Sequence, residues 1–355
     1  MAAVPSVVQP ANVDPAVVDF AVVGEWMVSH GLPDGPFEGV EPIGGGTQNV
    51  LLRFSRGGRD YVLRRPPQHL RPKSNEVLRR EARLLAALDG TAVPAPRLIA
   101  ACTDEKVLGG AVFYLMEPIT GFNASTMLPE LHARDADIRR KMGLAAAGGI
   151  AALGSVDYQQ VGLDGYGKPD GFLERQVPRW MSELESYARN DGYPGPQIPG
   201  LQRVADWLER NRPQQWRPGI MHGDYHLANM MFRYDGPELA AIVDWEMSTI
   251  GDPLLDLGWL LATWPDGTAL DALVGPLAGA GGLATREELI AEYSRGSDRD
   301  LSAIDYYYVL ACFKLGIVLE GTHARAFAGK ASPQIGDLLH AMTLRLFEKA
   351  SAVVG

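Results

Sequence analysis

HGDYHLAN at residues 222–229, followed by IVDWE at residues 242–246, sets two carboxylates and one carboxamide in a fixed order. An Asp on a rigid loop can accept or orient the proton of a hydroxyl that attacks phosphorus, which makes Asp224 the candidate catalytic base. Asn229 follows five positions on. In this H-x-D-x-x-x-x-N spacing the loop folds back, so the amide oxygen can reach Mg2+ while the Asp faces the acceptor. The apolar run Leu239 to Val243 predicts a short buried strand, and Asp244 at its end is the second candidate metal ligand. Asp235, Gly236 and Pro237 supply the turn that precedes it. His222 is expected to brace the loop by hydrogen bonding and His226 to be structural or solvent-facing, and the chain shows no His/Cys cluster of zinc type.

Upstream, Phe37–Ile43 and Val50–Phe54 have the length and composition of strands, joined by GGGTQN at residues 44–49. Such a turn can bring backbone N–H groups close to phosphates, with Gly45, Gly46, Thr47 and Asn49 as the candidates. It is neither a Walker A loop nor a dinucleotide fingerprint, because GK[ST] is missing and no parallel crossover follows. A third strand, Tyr61–Arg65, ends in two arginines, and strand alternation places Val62 and Arg64 on one face with Leu63 and Arg65 on the other.

The next segment is helical. From Val77 to Leu88 the residues Val77, Leu78, Leu84, Leu85 and Leu88 share one face, with Arg79, Arg80 and Arg83 opposite. Glu81 lands in the middle of the apolar face, where a carboxylate is costly unless paired, and Arg64 is its natural partner. AVFYLM at residues 111–116 is the fifth strand of the same sheet.

HGDYHLAN, IVDWE, GDPLLDLGW at residues 251–259 and the glycine-rich GGGTQNV at 44–50 together resemble the aminoglycoside phosphotransferase and choline kinase-like family. The resemblance runs from about residue 38 to about residue 345. It implies an α+β, protein-kinase-like bilobal fold: a small N-terminal lobe with an antiparallel five-stranded sheet plus one helix, and a larger, mainly helical C-terminal lobe. It implies ATP and Mg2+ as cofactors and a small-molecule hydroxyl as acceptor. By the same resemblance Arg64 grips the α and β phosphates where the family usually has Lys, Glu81 orients it, and backbone groups of Glu117 and Ile119 meet adenine. Arg can hold phosphate bidentately, although the exchange is not neutral where geometry is tight. Asp252 and Asp256 are expected to be structural, the second bracing the catalytic loop from below. The wording YVLRRPP and LMEPITG is closest to members fused to acyl-CoA dehydrogenase domains, which implies a hydroxyacyl-CoA acceptor as an alternative to an aminoglycoside-like one. Arg64, Arg65, Arg71, Lys73, Arg79, Arg80 and Arg83 are then candidates to meet CoA phosphates. A nucleotide-binding pseudokinase without transfer activity is the further alternative that Arg64 raises.

Composition suits a soluble enzyme of this kind. The 355 residues are 46% hydrophobic, no apolar run reaches a membrane-spanning length, and two cysteines favour reduced thiols and a cytoplasmic setting. Residues 38–116 carry 12 Lys and Arg against 8 Asp and Glu, whereas residues 117–355 carry 21 against 31. A basic small lobe suits a polyphosphate, an acidic large lobe suits a cationic acceptor, and nucleic acid is disfavoured. Residues 1–15 are expected to be a flexible tail, 16–117 the nucleotide-binding lobe with a leading helix, and 118–355 the catalytic and acceptor-binding lobe.

Overall fold

The computed structural model describes residues 17–44, 49–266 and 275–355. Gly45, Gly46 and Thr47, together with the expected tail, lie outside the described residues. Two units emerge, one comprising residues up to Thr91 with Ala95–Thr120, the other Ala92–Pro94 with Gly121–Gly355. Ala92–Pro94 joins the second unit, where the Pro94 carbonyl accepts from the Ile242 N–H at 2.6 Å.

The first unit begins with α1 (Phe20–Ser29), capped by the Asp19 carboxylate on the N–H groups of Ala21 and Val22. Strands β1 (Glu38–Pro42), β2 (Val50–Arg56) and β3 (Arg59–Arg65) follow, then α2 (Ser74–Leu88), β4 (Leu98–Cys102) and β5 (Phe113–Met116). The strands make an antiparallel five-stranded sheet in the order β1-β2-β3-β5-β4. The β2–β3 turn is made by Gly57 and Gly58, both at positive φ, which is what a tight hairpin demands. One sheet face carries Leu52, Phe54, Tyr61, Leu63, Phe113 and Leu115 into a core with Val23, Trp26 and Met27 of α1. The apolar stripe of α2 is buried through Leu78, Ala82, Leu84, Leu85 and Leu88.

Strand alternation holds on β3. Arg64, on the central strand between Leu51 and Tyr114, pairs with Glu81 of α2. Arg65 donates instead to the Val17 and Pro66 carbonyls at 2.7 and 3.0 Å. The seven basic residues expected to form one patch are therefore divided. Arg79 is likewise engaged, with the Thr103 carbonyl and Glu105.

The second unit is mostly helical, with β6 (Phe122–Asn123), α3 (Glu130–Arg134), α4 (Ala136–Ser155), α5 (Gln176–Ser186) and α6 (Leu201–Arg210) coming first. Short strands follow: β7 (Gly219–Met221), β8 (Met230–Phe232), β9 (Leu239–Ile242) and β10 (Thr249–Gly251). The chain closes with α7 (Leu254–Thr263), α8 (Pro276–Ala280), α9 (Arg286–Arg295), α10 (Ile304–Phe327) and α11 (Pro333–Val354). Thr285 and Glu288 form the capping box that their spacing predicts at the start of α9. β6, β8 and β9 make one antiparallel sheet, while β7 pairs with β10 in a separate ribbon. Among the described residues no helix is long and apolar enough to cross a membrane.

Candidate active site

The stretch 222–229 leaves the β7–β10 ribbon and enters the three-stranded sheet at β8, so each end is fixed by a different set of strands. Between those ends, buried groups from several helices hold its backbone. Asp256, in the first turn of α7 and buried, accepts the N–H groups of His222 at 2.6 Å and Gly223 at 2.9 Å. Lys314 of α10, also buried, donates to the Gly223 carbonyl at 3.0 Å while its ammonium lies over the Trp259 ring at 4.4 Å. The buried Tyr225 hydroxyl donates to the Ala146 carbonyl of α4 at 2.8 Å. Gly223 itself sits at φ +85°, and a Cβ there would lie 2.4 Å from the Met247 carbonyl oxygen, so no other residue fits without a shift.

His222 braces the loop as its position implies. Its Nε2 donates to the Val243 carbonyl at 2.9 Å, and Nδ1 accepts the Asp224 N–H at 3.3 Å. These two bonds require the neutral ring with its proton on Nε2, and complete burial pushes the pKa down in agreement. His222 is thus a splint between the base loop and the segment that ends in Asp244.

Asp224 is the exception to this burial, with its side chain 35% exposed. Partial burial alone pushes its carboxyl up, but the hydrogen bond and charge of His226, followed by Lys314, outweigh that and hold it below the ordinary carboxylate range. His226 Nε2 lies 3.3 Å from Asp224 Oδ2. Histidine 226 therefore has a polar role at the site beyond the structural or solvent-facing one expected for it. Asn229 donates from Nδ2 to the Asp224 carbonyl at 2.9 Å and to its Oδ2 at 3.2 Å. The amide nitrogen is thereby spent on Asp224, and the amide oxygen is the atom left to meet a cation.

Asp244 follows β9 with φ +67°, a left-handed conformation that costs a non-glycine residue on the order of 1 kcal/mol. A buried Trp245, whose indole N–H donates to the Ile242 carbonyl at 2.9 Å, locks the turn behind it. The backbone also ties the two candidate ligands together, since the Val243 N–H donates to the Asn229 carbonyl at 2.9 Å.

In the first unit the Arg64 Nε lies 3.1 Å from Glu81 Oε2, both side chains being buried. This is the pairing that the helix pattern demanded. Glu117 differs from expectation in one respect: its N–H already donates to the Arg97 carbonyl at 2.9 Å, so only its C=O can serve a ligand. Its carboxylate pairs with Arg59 at 2.9 Å. Ile119 lies just beyond, and Asn49 is half-buried immediately before β2.

Lys314 was not foreseen among the site residues. A lone Lys in YYYVLACFKLGIV, residues 306–318, is the same kind of signal as Glu81 in α2: a charge on an apolar helix that must find a partner.

The sheet, helix and loop order are those of protein-kinase-like small-molecule phosphotransferases. A solved structure from Ralstonia eutropha JMP134, provisionally described as an aminoglycoside phosphotransferase, superposes with a TM-score of 0.78 at 29% identity, covering 94% of this chain and 99% of its own. The GDP complex of an aminoglycoside 2'-phosphotransferase-IIIa mutant shares the fold with a TM-score of 0.60 at 18% identity, over 92% of this chain and 96% of that one. The chain belongs to the phosphotransferase enzyme family, which matches residues 39–291. Human acyl-CoA dehydrogenase family member 11 is 32% identical over 297 residues, 81% of this chain and 36% of the human protein. Mouse acyl-CoA dehydrogenase family member 10 is 28% identical over 307 residues, 84% of this chain and 28% of its own length. The chain thus spans about a third of the length of these curated relatives.

Proposed function

We propose that the chain transfers the γ-phosphoryl group of ATP to a hydroxyl of a small molecule in a Mg2+-dependent reaction. The observation that carries this reading is the Asp224 loop, an ionised and accessible carboxylate on a backbone clamped by Asp256 and Lys314, with Asn229 turned so that its amide oxygen is available. Family membership and nucleotide-bound relatives of the same fold support it, one being a complex with GDP and another with AMP-PNP and hygromycin B.

Asp224 acts by orientation first. A carboxylate with so low a pKa is a weak base toward an alcohol, so it aligns the hydroxyl and takes its proton late, as the new O–P bond forms and the bond from phosphorus to the ADP oxygen breaks. Asn229 and Asp244 are the proposed metal ligands. An amide oxygen and a carboxylate are hard donors, the set that Mg2+ selects over softer alternatives. The chemistry that bound Mg2+ supplies is neutralisation of charge on the phosphate oxygens. Arg64 holds phosphate and Glu81 fixes its guanidinium, with Gly45, Gly46, Thr47 and Asn49 offering backbone N–H groups and the Glu117 carbonyl and Ile119 N–H meeting adenine. The bonds of Arg65 to the Val17 and Pro66 carbonyls support Arg64 over Arg65 for the phosphate role.

For the acceptor, the names of the curated relatives favour a hydroxyacyl-CoA over an aminoglycoside. The test is ADP release by purified protein with Mg2+ and ATP across hydroxyacyl-CoA esters, aminoglycosides, amino alcohols and sugars, beside Asp224→Ala. Acceptor-dependent release that falls by about 10^3 or more in the variant, with ATP still bound, is the expected result. ATP binding with no ADP release across the whole panel would instead indicate a pseudokinase.

A further inference from the structure

EGTH at residues 320–323 sets a carboxylate and an imidazole three positions apart on α10, on one face of the helix. His340 approaches them from α11, which is bonded to α10 one turn away through Thr343 Oγ1 and the Gly316 carbonyl at 2.9 Å. One ligand atom from each of Glu320, His323 and His340 lies within 4.8 Å of the other two. Such a set was not expected from the sequence, because its members are an acid and two histidines on different helices and no cysteine is involved.

Glu320 is fully buried and its carboxylate is already aimed. The Tyr193 hydroxyl donates to Oε1 at 2.6 Å, and His340 Nδ1 lies 2.7 Å from Oε2. His323 stacks on His340 with ring centroids 4.4 Å apart, and its side chain is 12% exposed. Its Nδ1 is buried without a hydrogen-bond partner; Asp337 Oδ1, at 3.7 Å, is out of hydrogen-bonding reach. A buried imidazole nitrogen left in this way is unfavourable and is relieved by any group that can accept its lone pair or supply one.

We propose that Glu320, His323 and His340 bind a divalent transition ion, Zn2+ fitting best, which staples α10 to α11. Two imidazoles and one carboxylate are a zinc donor set, whereas Mg2+ and Ca2+ select oxygen alone. The Tyr193 hydroxyl holds the ligating carboxylate from outside, the support that such ligands ordinarily receive. Tetrahedral donors around zinc stand about 3.4 Å apart, so the His340 Nδ1–Glu320 Oε2 contact opens from 2.7 Å, the third donor, from His323, draws in, and one imidazole turns out of the stack to bring its plane onto the ion. The ion displaces the proton shared by His340 and Glu320, and water or the exposed Asp337 carboxylate takes the fourth position.

The experiment is calorimetric titration of Zn2+ into the metal-stripped full chain without nucleotide, repeated with His340→Phe, which keeps an aromatic ring against His323. Thermal unfolding of both proteins follows, with and without Zn2+, together with Co2+ absorption spectra. One equivalent of Zn2+, a tetrahedral Co2+ spectrum and a melting midpoint raised by several degrees are expected for the wild type. His340→Phe should fold normally, weaken binding at least about tenfold and lose the shift. A second variant, His323→Leu, should behave alike. Absence of stoichiometric binding, or binding that both variants leave unchanged, would overturn the proposal.

Discussion

The Arg64–Glu81 pair and the Asp224 loop solve one problem in opposite ways. In the first unit Arg64, the proposed phosphate-binding cation, is itself buried and is held side chain to side chain by a buried carboxylate. In the second Asp224, the proposed base, is partly exposed, and the buried charges, Asp256 and Lys314, grip backbone atoms of the loop that carries it. The first arrangement fixes a charge by neutralising it. The second fixes a position and leaves the charge available. A group that must bind phosphate through several ligand states tolerates a permanent partner, whereas a group that must receive a proton does not.

The difference predicts unequal responses to deletion, and the largest belongs to the first unit. Glu81→Ala strands the Arg64 guanidinium in a buried setting and is expected to cost about 3–5 kcal/mol in urea unfolding. Arg64→Met with Glu81→Leu removes both charges and should recover most of that loss while phosphoryl transfer stays abolished. Equal stability of the single and double variants would mean that the pair is solvated and that the contrast between the two units is false.

Next in size is a pH effect confined to the second unit. Burial, opposed by the two N–H bonds from Gly223 and His222, raises the Asp256 pKa from 3.8 to about 6. The native state therefore binds this proton more tightly than the unfolded chain. The associated stabilisation is complete below the unfolded pKa and is lost as pH rises toward about 6, by roughly 3 kcal/mol for this group. Asp224 has the opposite sign, its depressed pKa giving stability above the unfolded value that is lost on acidification. Asp256→Asn should accordingly flatten the fall in melting midpoint between about pH 4 and 6. An unchanged slope would show that Asp256 titrates as an ordinary carboxylate.

These two regions were not equally legible in the sequence. Glu81 could be matched to Arg64 because each lies on an element with a clear period, and a charge on the apolar face of a helix asks for a partner, which a cation on a neighbouring strand supplies. Asp224, Asn229 and Asp244 were legible as a spacing, and Asp256 through the family resemblance. Lys314 was not, because its partner is the carbonyl of Gly223, 91 residues earlier, and a backbone acceptor leaves no residue-type signature. Strands of two or three residues such as β6, β7 and β10 are too short to show alternation, and they are defined by pairing alone. Periodicity alone would start helix α5 at Phe172, but the helix begins at Gln176, with the Phe172 N–H taken up by a turn to the Pro169 carbonyl. The Glu320 cluster could have been found by the reasoning that found Glu81: a carboxylate inside an apolar helix asks for a partner.

A smaller effect is expected at Gly223. Gly223→Ala meets both a positive φ and the Met247 carbonyl, so the loop must shift, at a cost of about 1–3 kcal/mol. Activity should fall more than stability, because the displacement is felt one residue from Asp224. A crystal structure of the variant with an unmoved loop would contradict this.

Lys314→Met gives the smallest expected change in stability, and the reason lies in the contrast between the two units. Burial pushes the Lys314 pKa down, so the folded protein already opposes its charge, and Met removes that opposition while filling similar space against Trp259. The loss is one hydrogen bond to the Gly223 carbonyl, worth about 1.5–3 kcal/mol when the donor is charged, together with the attraction of the ammonium to Asp224 and Asp256. The two terms offset, leaving a net change of about 1 kcal/mol or less in urea unfolding. Activity should not be spared in the same way, since the loop loses the donor that holds the Gly223 carbonyl. A fall in kcat of about tenfold with KM for ATP unchanged is expected, as for a group that positions the base without touching nucleotide. If Lys314→Met instead destabilised the protein as strongly as Glu81→Ala, its attraction to the buried Asp256 would outweigh the cost of burying it, and both units would rest on a buried ion pair.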